Sequence, residues 1–475
     1  MAVLAGLFDQ QVTIGILPDD ILLELFGFYL DESAEHEQWF TLAHVCQRWR
    51  HVVSASPRRL NLQLVCTGYT PPGEMLAEWP ALPIHIDRFG KSKGRAVRRM
   101  SMPEVNNVLA ALKHNNRVSK IIFRDVGNKQ LRHSLADMQE PFPMLDYLDI
   151  RDHPKFYSRV PAVFPDSFLG GSAPLLVHLG LARKSFPGLP KLLLSANRLV
   201  DIYLWDIPYI PPEIMAASLS AMKHLQSLVI GIRTSSHQAS QRPHSVTRIA
   251  LPALNSLTLA CTDGYMEDLV ARLDAPSLEL MDISVIHLFQ VFTFSEESEL
   301  PQFISRIKAF IISDQVQLFA SPKETRLTIS QKTSRIDLAD AAELSLTFMG
   351  PPEILFSALP PLHFERVEIY EDRFIIRNPQ LNFELELRGF SRRFTAAKDL
   401  FLDPRATVLV EAGLLDSAEE TVAELFPALQ NIFMEDCLLT PPTNKGFLKF
   451  TTARRLAGLP VTVHSWDMEP RKTGK

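Results

Sequence analysis

Three histidines and one cysteine lie close together near the start of the chain, at His36, His44, Cys46 and His51. Imidazole and thiolate groups are ligands that zinc prefers, so this spacing raises the question of a metal site. On a helical wheel the four side chains scatter, and Cys46 falls on the apolar side, which favours a small buried hydrophobe over a ligand. The sequence therefore predicts no metal site and no cofactor.

Short motifs with a known catalytic mechanism give little support for an enzyme. The sequence has no His-Glu-x-x-His, no Gly-x-Gly-x-x-Gly and no Walker A motif. Gly90-Lys91-Ser92 is not a phosphate-binding loop, because His85 stands where that loop needs its first glycine. We expect no enzyme activity of the chain itself. An active site assembled from residues distant in sequence is the alternative.

The composition is that of a folded protein, with 475 residues, 46% hydrophobic, 22% charged and a formal net charge of −5. The small net charge gives no reason to expect nucleic acid or an anionic membrane as a partner. Four scattered cysteines predict no disulfide framework. The residues before Leu17 lack the basic region of a signal peptide, and no apolar run is long enough to span a bilayer. A cytoplasmic or nuclear location is expected.

The stretch from Leu17 to Val53 carries more apolar surface than a small helical domain can bury. Pro18 and the aspartates after it suit the first turn of a helix. The apolar arc of this helix covers about 220°, roughly twice what one buried face requires. The arc consists of Ile21, Leu22, Leu23, Leu25, Phe26, Phe28, Tyr29 and Leu30. A second arc consists of Trp39, Leu42, Val45, Cys46, Trp49, Val52 and Val53. The excess predicts a surface that binds a partner protein, and an ordinary amphipathic hairpin is the alternative.

These residues resemble a known module. The leader reads Leu17-Pro18-x-x-Ile21-Leu22-x-x-Leu25-Phe26, and the ending reads Val45-Cys46-x-x-Trp49. In leader, spacing and ending the stretch is similar to an F-box, the helical motif that docks on the Skp adaptor of cullin-RING ubiquitin ligases. The resemblance implies an adaptor-binding surface made of Leu17, Pro18, Ile21, Leu22, Leu25, Phe26, Leu42, Val45, Cys46 and Trp49. Asp19 and Asp20 stand where the commoner form has a glutamate, so the negative charge is preserved.

A connector follows the module and resembles that of F-box proteins of mushroom-forming fungi. Its alternating residues predict short strands at Leu60–Val65 and Pro83–Ile86. Between Arg88 and Arg99 the chain has six basic residues and no acid. This run is typical of a solvated loop, and the alternatives are a nuclear-import signal or a patch for a phosphorylated or acidic partner.

From Val118 onward the pattern apolar-x-x-apolar-x-apolar recurs. Copies begin at Val118, Leu145, Leu176, Leu199, Leu225, Leu254, Leu278, Ile307, Phe364, Ala397 and Leu429. The first seven starts are 27, 31, 23, 26, 29 and 24 residues apart, close to the length of one leucine-rich repeat. Five copies have a proline two residues ahead, which suits the beginning of a strand. These are Pro143, Pro174, Pro252, Pro276 and Pro427.

The segments between copies, such as Pro212–Leu219 and Met266–Leu273, predict short helices. Strand, turn and helix in each unit resemble degenerate leucine-rich repeats, since most copies lack the Asn or Cys that should follow the strand. Only the last copy continues to Cys437 and Leu439 as a complete repeat does. Between Ser313 and Asp340 the spacing breaks, so we expect an irregular region there.

The predicted fold is therefore a small all-α F-box followed by an α/β leucine-rich-repeat-like solenoid with a parallel β-sheet. The expected segments are an N-terminal segment (1–15), the F-box (16–56), a connector (57–117), the solenoid (118–465) and a disordered tail (466–475). The expected function is a substrate-recruiting adaptor subunit that binds the Skp adaptor, and through it cullin, and an unknown target protein. The alternative is a scaffold that binds a partner without ubiquitination. Tyr203 and Trp205, large aromatics at alternate strand positions, are the expected target-binding anchors unless they pack under a neighbouring loop.

Overall fold

The computed structural model describes residues 14–32, 39–67, 76–77, 79, 82–87, 102–124, 128–151, 162–233, 247–285, 299–307, 315–320, 325–330, 343–348, 364–371, 391, 394–416, 424–434 and 445–465. The chain divides into two units, Met1–Ala196 and Asn197–Lys475. The basic run 88–99, the tail 466–475 and Cys437 lie outside the described residues.

Three helices come first in the first unit: α1 (Asp19–Glu32), α2 (Trp39–Val45) and α3 (Gln47–Ala55). A 3-10 turn, Ile14–Ile16, precedes them. Helix α1 begins directly after Pro18, whose carbonyl accepts the N–H of Leu22 at 3.0 Å. Pro18 needs no N–H partner of its own at this position, which is why a proline suits it. Helix α3 ends at Ala55, two residues ahead of Pro57, because a proline disfavours helix for the residue before it.

A parallel sheet forms the rest of the first unit. Its strands, in spatial order, are β1 (Leu64–Cys66), β2 (Ile84–Asp87), β3 (Val118–Arg124), β4 (Tyr147–Arg151) and β6 (His178–Ala182). Strands β5 (Ala162–Val163) and β7 (Lys184–Ser185) form a separate parallel pair. The helices of this part are α4 (Met102–Leu112), α5 (Asn128–Asp137) and α6 (Leu189–Ser195). The first unit is thus α/β, with a parallel sheet after the three helices.

The second unit continues the same strand-and-helix pattern. Its parallel strands β8 (Asp201–Ile207), β9 (Ser227–Ile232), β11 (Ser256–Cys261), β13 (Leu280–Val285) and β16 (Glu343–Phe348) pair in that order. Strands β17 (Arg366–Glu371), β18 (Asp399–Leu402), β19 (Asn431–Met434) and β20 (Thr462–Ser465) form a second parallel run. The helices are α7 (Pro212–Leu219), α8 (Asp263–Ala271), α9 (Glu299–Ser305), α10 (Pro404–Asp416) and α11 (Lys445–Leu456). Strands β10 (Ile249–Ala250) and β12 (Leu273–Asp274) pair by themselves.

The expected break between Ser313 and Asp340 is a real irregularity of the sheet. Strands β14 (Gln315–Ala320) and β15 (Thr325–Ser330) form an antiparallel pair. Strand β15 also pairs antiparallel with β16, while β14 pairs parallel with β17. The two parallel runs of the second unit are therefore joined through β15, which runs opposite to both of its neighbours. Phe310 and Ile312 of the copy at Ile307 lie outside the described residues.

The recurring apolar triplet forms the core of both units. In every copy that the structure describes in full, all three apolar side chains are buried. The second and third lie on a strand, and the first lies just before it or, in β3, at its first residue. Because side chains alternate along a strand, the residues between the second and third apolar positions point to the other face. The sequence pattern thus predicted both the strands and their buried side.

The prolines ahead of the triplets lie in tight turns rather than at the start of the strand itself. In the turn at Pro143 the N–H of Leu145 donates to the carbonyl of Phe142 at 3.1 Å. At Pro427 the N–H of Leu429 donates to the carbonyl of Phe426 at 2.9 Å. Proline is favoured at the second position of such turns because its fixed φ matches the turn geometry. The turn therefore places the first apolar residue of the triplet in the core.

Two predictions of detail were wrong, and one helix was not predicted. The strand predicted at Leu60–Val65 is limited to β1, because residues 57–61 form a turn in which Asn61 has a left-handed φ of 48°. Helix α4 lies in the predicted connector and was missed. Helix α8 begins three residues earlier than predicted, at Asp263, and ends at Ala271, so that the predicted last residue Leu273 lies in β12.

Replacing Leu257 by lysine tests how far a defect in the buried apolar side chains spreads along the sheet. Leu257 is fully buried and lies in register with Leu228 and Met281. Because neighbouring repeats contact each other first, amide hydrogen exchange should rise at Leu228 and Met281 well before it rises at Leu145. Thr258→Lys is the matched control, since that side chain points to the opposite face and should leave exchange unchanged. Uniform loss of protection along the chain would contradict the repeat architecture.

Candidate functional site

Helix α1 carries two adjacent apolar stripes with opposite environments. The buried stripe consists of Leu22, Leu23 and Phe26. The exposed stripe consists of Ile21, Leu25, Phe28 and Tyr29, which are 47%, 41%, 67% and 42% exposed. At 3.6 residues per turn each stripe spans about 100° of the helix. About half of the wide apolar arc of α1 is thus buried inside the chain, and the other half is exposed at its surface.

The exposed stripe is accompanied by further apolar side chains in the same three-helix segment. Ile14 and Ile16, in the turn ahead of α1, and Val45, at the end of α2, are each more than half exposed. Single exposed apolar residues are common, but several large ones on one short segment are typical of a binding surface. Sequence reasoning singled out Val45 and not the two isoleucines.

The leader is fastened to α3 by one arginine. Nε and Nη2 of Arg48 donate to Oδ1 of Asp19 at 3.0 and 2.6 Å, and Nη2 also donates to the carbonyl oxygen of Leu17. Both charged side chains are largely exposed, so the ion pair contributes no more than about 1 kcal/mol to stability. Its effect is positional, because it fixes the start of α1 against α3.

Cys46 is exposed, so its predicted burial was wrong. Its backbone is extended, with φ −158° and ψ 171°, and it separates α2 from α3 instead of lying inside one helix. Its Sγ accepts the N–H of Trp49 at 3.4 Å, which makes Cys46 the N-cap of α3. The wheel argument failed because it assumed an unbroken helix through this residue.

Trp39 connects the three helices to the chain that follows them. It is 1% exposed, and its indole N–H donates to the carbonyl of Gln63 at 3.1 Å. Its ring also lies edge-on to Trp79, with centroids 4.9 Å apart. Arg59 adds an ion pair to Glu24 of α1. The packing of the module therefore extends past residue 56 into the connector.

The residues predicted to contact an adaptor fall into three groups by exposure. Leu22, Phe26 and Leu42 are buried, so they support the surface from inside. Leu17 and Trp49 are half-buried, and Trp49 packs on Phe26 with ring centroids 4.7 Å apart. The exposed ones are Pro18, Ile21, Leu25, Val45 and Cys46.

On the outward face of the first unit's sheet, a carboxylate holds two arginines. The Asp149 side chain is fully buried and accepts from Nε and Nη2 of Arg124 at 2.9 and 2.7 Å and from Arg151. A Cβ atom at Gly180 would lie 2.6 Å from Oδ1 of Asp149, so the approach requires glycine there. A buried carboxylate is tolerated when it is paired in this way. No sequence motif predicted this cluster.

Next to it, rings and a cation stack across three strands. Tyr147 and His178 have centroids 4.2 Å apart and nearly parallel planes, and Nζ of Lys120 lies 4.2 Å from the Tyr147 ring. Burial, and after it the negative charge of Asp149, raises the pKa of Tyr147. A comparable stack in the second unit joins Arg366, Phe401, Phe433 and His464 across β17 to β20.

Tyr203 and Trp205 lie on the outward face of β8, as predicted. Their ring centroids are 6.2 Å apart with planes at 22°, and Trp205 is 37% exposed. A bulge follows, because the register shifts between Leu204 and Ile207 and Asp206 has a left-handed φ of 52°. The bulge returns Ile207 to the core while Trp205 stays outside. Trp205 is therefore partly exposed on this face, and Tyr203 lies half-buried beside it.

Two contacts hold Trp205 and the bulge in place. Arg233 donates from Nε to Oδ1 of Asp206 at 3.0 Å and from Nη2 to the Asp206 carbonyl at 2.9 Å. Gly231 lies beneath the indole, since a Cβ atom there would be 3.0 Å from Cε3 of Trp205. The aromatic pair is thus positioned by the backbone as well as by side chains.

Among the described residues, no group of three or more His, Cys, Asp or Glu is placed to hold a metal ion. In the same part of the chain, no helix has the length and apolar character that crossing a membrane requires. Gly90-Lys91-Ser92-Lys93-Gly94 has the Gly-x-Ser-x-Gly spacing of a nucleophile elbow, which the sequence analysis did not single out. This segment, like His36, lies outside the described residues.

Comparison of the chain with models of protein families, and with curated proteins, finds no match. The exposed stripe of α1 and the outward strand faces are the features of the chain that bear on its function.

Trp39 variants test the connection between the module and the connector. Trp39→Phe removes one buried hydrogen bond and should lower the free energy of unfolding by about 1 kcal/mol. Trp39→Ala also leaves a large cavity and should cost roughly 3–5 kcal/mol. Urea unfolding of the full chain measures both, and Trp205→Phe is a control outside the core. If Trp39→Ala were as stable as the control, the module would not depend on the connector.

Proposed function

We propose that the chain is the substrate-recruiting F-box subunit of a cullin-RING ubiquitin ligase. The exposed stripe of α1 supports this proposal most directly. Ile21 and Leu25 belong to the F-box-like leader, and they point away from the chain's own core. A helix that leaves half of its apolar arc in water gains from a partner that covers it, at about 25 cal/mol per Å² of apolar surface buried.

In this proposal the Skp adaptor covers the exposed stripe together with Leu17, Pro18 and Val45. Leu22, Phe26 and Leu42 hold the stripe in place from below. The fastening of Leu17 and Asp19 by Arg48 supports a preformed surface, which lowers the entropic cost of association. The adaptor would bring cullin with it, so the chain would need no catalytic groups of its own.

We also infer that the repeats form a leucine-rich-repeat-like solenoid whose outward strand positions bind a target protein. The buried triplets and the parallel registers support this inference. Transfer of ubiquitin would occur elsewhere in the ligase, and this chain would supply proximity between the target and the charged enzyme. Tyr203 and Trp205 are the proposed target anchors.

A scaffold that binds a partner without ubiquitination is the second candidate, because the described residues would suit it equally well. A pull-down with the full chain separates the two. Recovery of both adaptor and cullin supports the ligase, whereas recovery of the adaptor without cullin favours the scaffold.

Leu25→Asp tests the adaptor proposal. Leu25 is partly exposed, so the variant should fold, but a carboxylate would be buried without a partner in the complex at a cost of several kcal/mol. Co-purification with the adaptor should be lost. His51→Asp, an exposed position on α3, is the matched control and should bind normally. Adaptor binding that survives Leu25→Asp would disprove the assignment of this surface.

Tyr203→Ala combined with Trp205→Ala tests the target face. Truncating an aromatic anchor typically costs about 2–4 kcal/mol, so target capture should fall at least thirtyfold while adaptor binding persists. Capture is measured by quantitative proximity labelling with the full chain as bait. If capture survived and instead disappeared when Lys91, Lys93, Arg95, Arg98 and Arg99 were neutralised, the basic run would be the target-binding element.

A further inference from the structure

We propose that the edge of β20 binds an extended segment of a partner protein as an added strand, and that an aromatic side chain of this segment stacks on His464. Such binding is independent of the proposed adaptor surface on α1 and of Tyr203 and Trp205. The backbone of the edge strand, a row of stacked side chains that ends at it, and exposed apolar residues of the last repeat all point to this kind of partner.

Strand β20 has a single neighbouring strand within the part of the chain that the structure describes. It pairs in parallel with β19, and the N–H of Thr462 donates to the carbonyl of Gln430 at 2.8 Å. Successive residues of a strand direct their backbone groups to alternate sides, so those of Val463 and Ser465 point away from β19. These two residues present hydrogen-bond donors and acceptors along an open edge, which is a template for one more strand.

The edge of β20 lacks the features that keep other strands from joining a sheet. Charged side chains, prolines and β-bulges are the usual means of blocking an edge strand. The strand reads Thr462-Val463-His464-Ser465, without lysine or proline, and its register with β19 has no shift. Thr462 and Ser465 are exposed, and the two residues between them are partly exposed. The described residues therefore leave this edge accessible to a partner.

A row of stacked side chains on the outward face of β17 to β20 ends at this edge. The guanidinium of Arg366 lies 3.8 Å from the centroid of the Phe401 ring. Phe401 and Phe433 have centroids 4.2 Å apart, and Phe433 and His464 have centroids 5.0 Å apart. These separations are close to the distance between neighbouring strands, about 4.8 Å. An aromatic ring opposite His464 on an added strand would therefore extend the row by one step.

The ring of His464 is held in place before any partner binds. Its Nε2 lies 3.1 Å from Oδ1 of Asn431, whose Nδ2 donates to Oδ1 of Asp399 at 2.8 Å. The plane of the imidazole is inclined by only 22° to that of Phe433. Because the ring is already oriented, little side-chain freedom is lost when another ring stacks on it.

The core side of the last repeat defines the residues on either side of the aromatic one. Val463 is in register with the buried Ile432 but is itself partly exposed. Leu456, at the end of α11, and Leu459, ahead of β20, are 83% and 47% exposed. In repeat arrays the terminal unit needs a covering element for such residues. Since side chains alternate along a strand, the partner segment should carry apolar residues next to its aromatic one.

The test uses the full chain and a fluorescein-labelled peptide, Lys-Gly-Thr-Val-Phe-Val-Thr-Gly-Lys, whose symmetrical pattern fits the edge in either direction. One control peptide has leucine in place of phenylalanine, and another is N-methylated at the phenylalanine and both valines. Fluorescence anisotropy should show about fivefold weaker binding of the leucine peptide, which lacks the ring. The methylated peptide should not bind measurably, because strand addition depends on backbone hydrogen bonds.

Variants of two residues of β20 locate the binding. Ser465→Pro removes an outward N–H and should weaken the phenylalanine peptide about tenfold. An edge strand tolerates proline where the N–H faces outward, and His464 ahead of it is already extended, so the fold should persist. Ser465→Ala keeps the N–H and is the matched control, with unchanged binding and the same urea midpoint as Ser465→Pro. His464→Leu should weaken the phenylalanine peptide about fivefold and the leucine peptide much less.

Failure of the phenylalanine peptide to bind the full chain, or equal binding of the methylated peptide, would overturn the proposal. Equal weakening by Ser465→Ala and Ser465→Pro would do the same. Peptide binding that appears only after removal of residues 466–475 would assign the edge to the chain's own last residues. A dimer in analytical ultracentrifugation that Ser465→Pro dissociates would assign it to a second copy. Either result would also overturn the proposal.

Discussion

Register between neighbouring strands is the constraint on which the described sheet depends. Each strand buries two apolar side chains of its triplet beside those of the next strand, as Leu228, Leu257 and Met281 do. A shift of one residue would turn the apolar set of a strand to the other face. The turn ahead of the strand fixes the starting point. The bulge after Leu204 shifts the register by one residue, and Ile207 still points into the core. The outward face, where function is proposed, follows from this constraint.

The first helix follows a different rule, because only part of its apolar surface is used by the chain. Leu22 and Phe26 contribute to the core, where burying such a side chain is worth about 1.5–3 kcal/mol. Phe28 and Leu25 contribute little to the fold as it stands. The same helix thus serves stability on one side and association on the other. A change can therefore affect association while stability is preserved, provided that it lies on the exposed stripe.

Sequence reasoning located the strands well because a buried apolar period is a local signal. Val118, Leu145 and the later triplet starts could be read from spacing alone, and so could the irregular region where β14 and β15 lie. Cys46 was placed incorrectly because its exposure depends on a break in the helix, which no propensity of the neighbouring residues indicates. Helix α4 was overlooked next to a basic run that dominated the interpretation of the connector.

The contacts that organise the outward faces were outside the reach of sequence reasoning for another reason. Asp149 meets Arg124 across 25 residues of chain and a strand boundary, and Arg233 meets Asp206 across 27. Each pairing is determined by register, and the register emerges only when the whole sheet is assembled. Tyr203 and Trp205 could be predicted as outward because alternation within one strand suffices, but the glycine beneath Trp205 belongs to the next strand.

The hydrogen bond from Trp39 to Gln63 has a mechanical consequence. It joins α2 to the residue just before β1, and Trp79 packs against the same indole. These contacts restrict rotation of the first helices relative to the first strand. A protein bound to α1 would therefore move together with β1 and the strands beside it. The orientation of these strands relative to the bound protein would then be determined by the fold of the chain. It would not vary from one binding event to the next, as it would with a flexible linker.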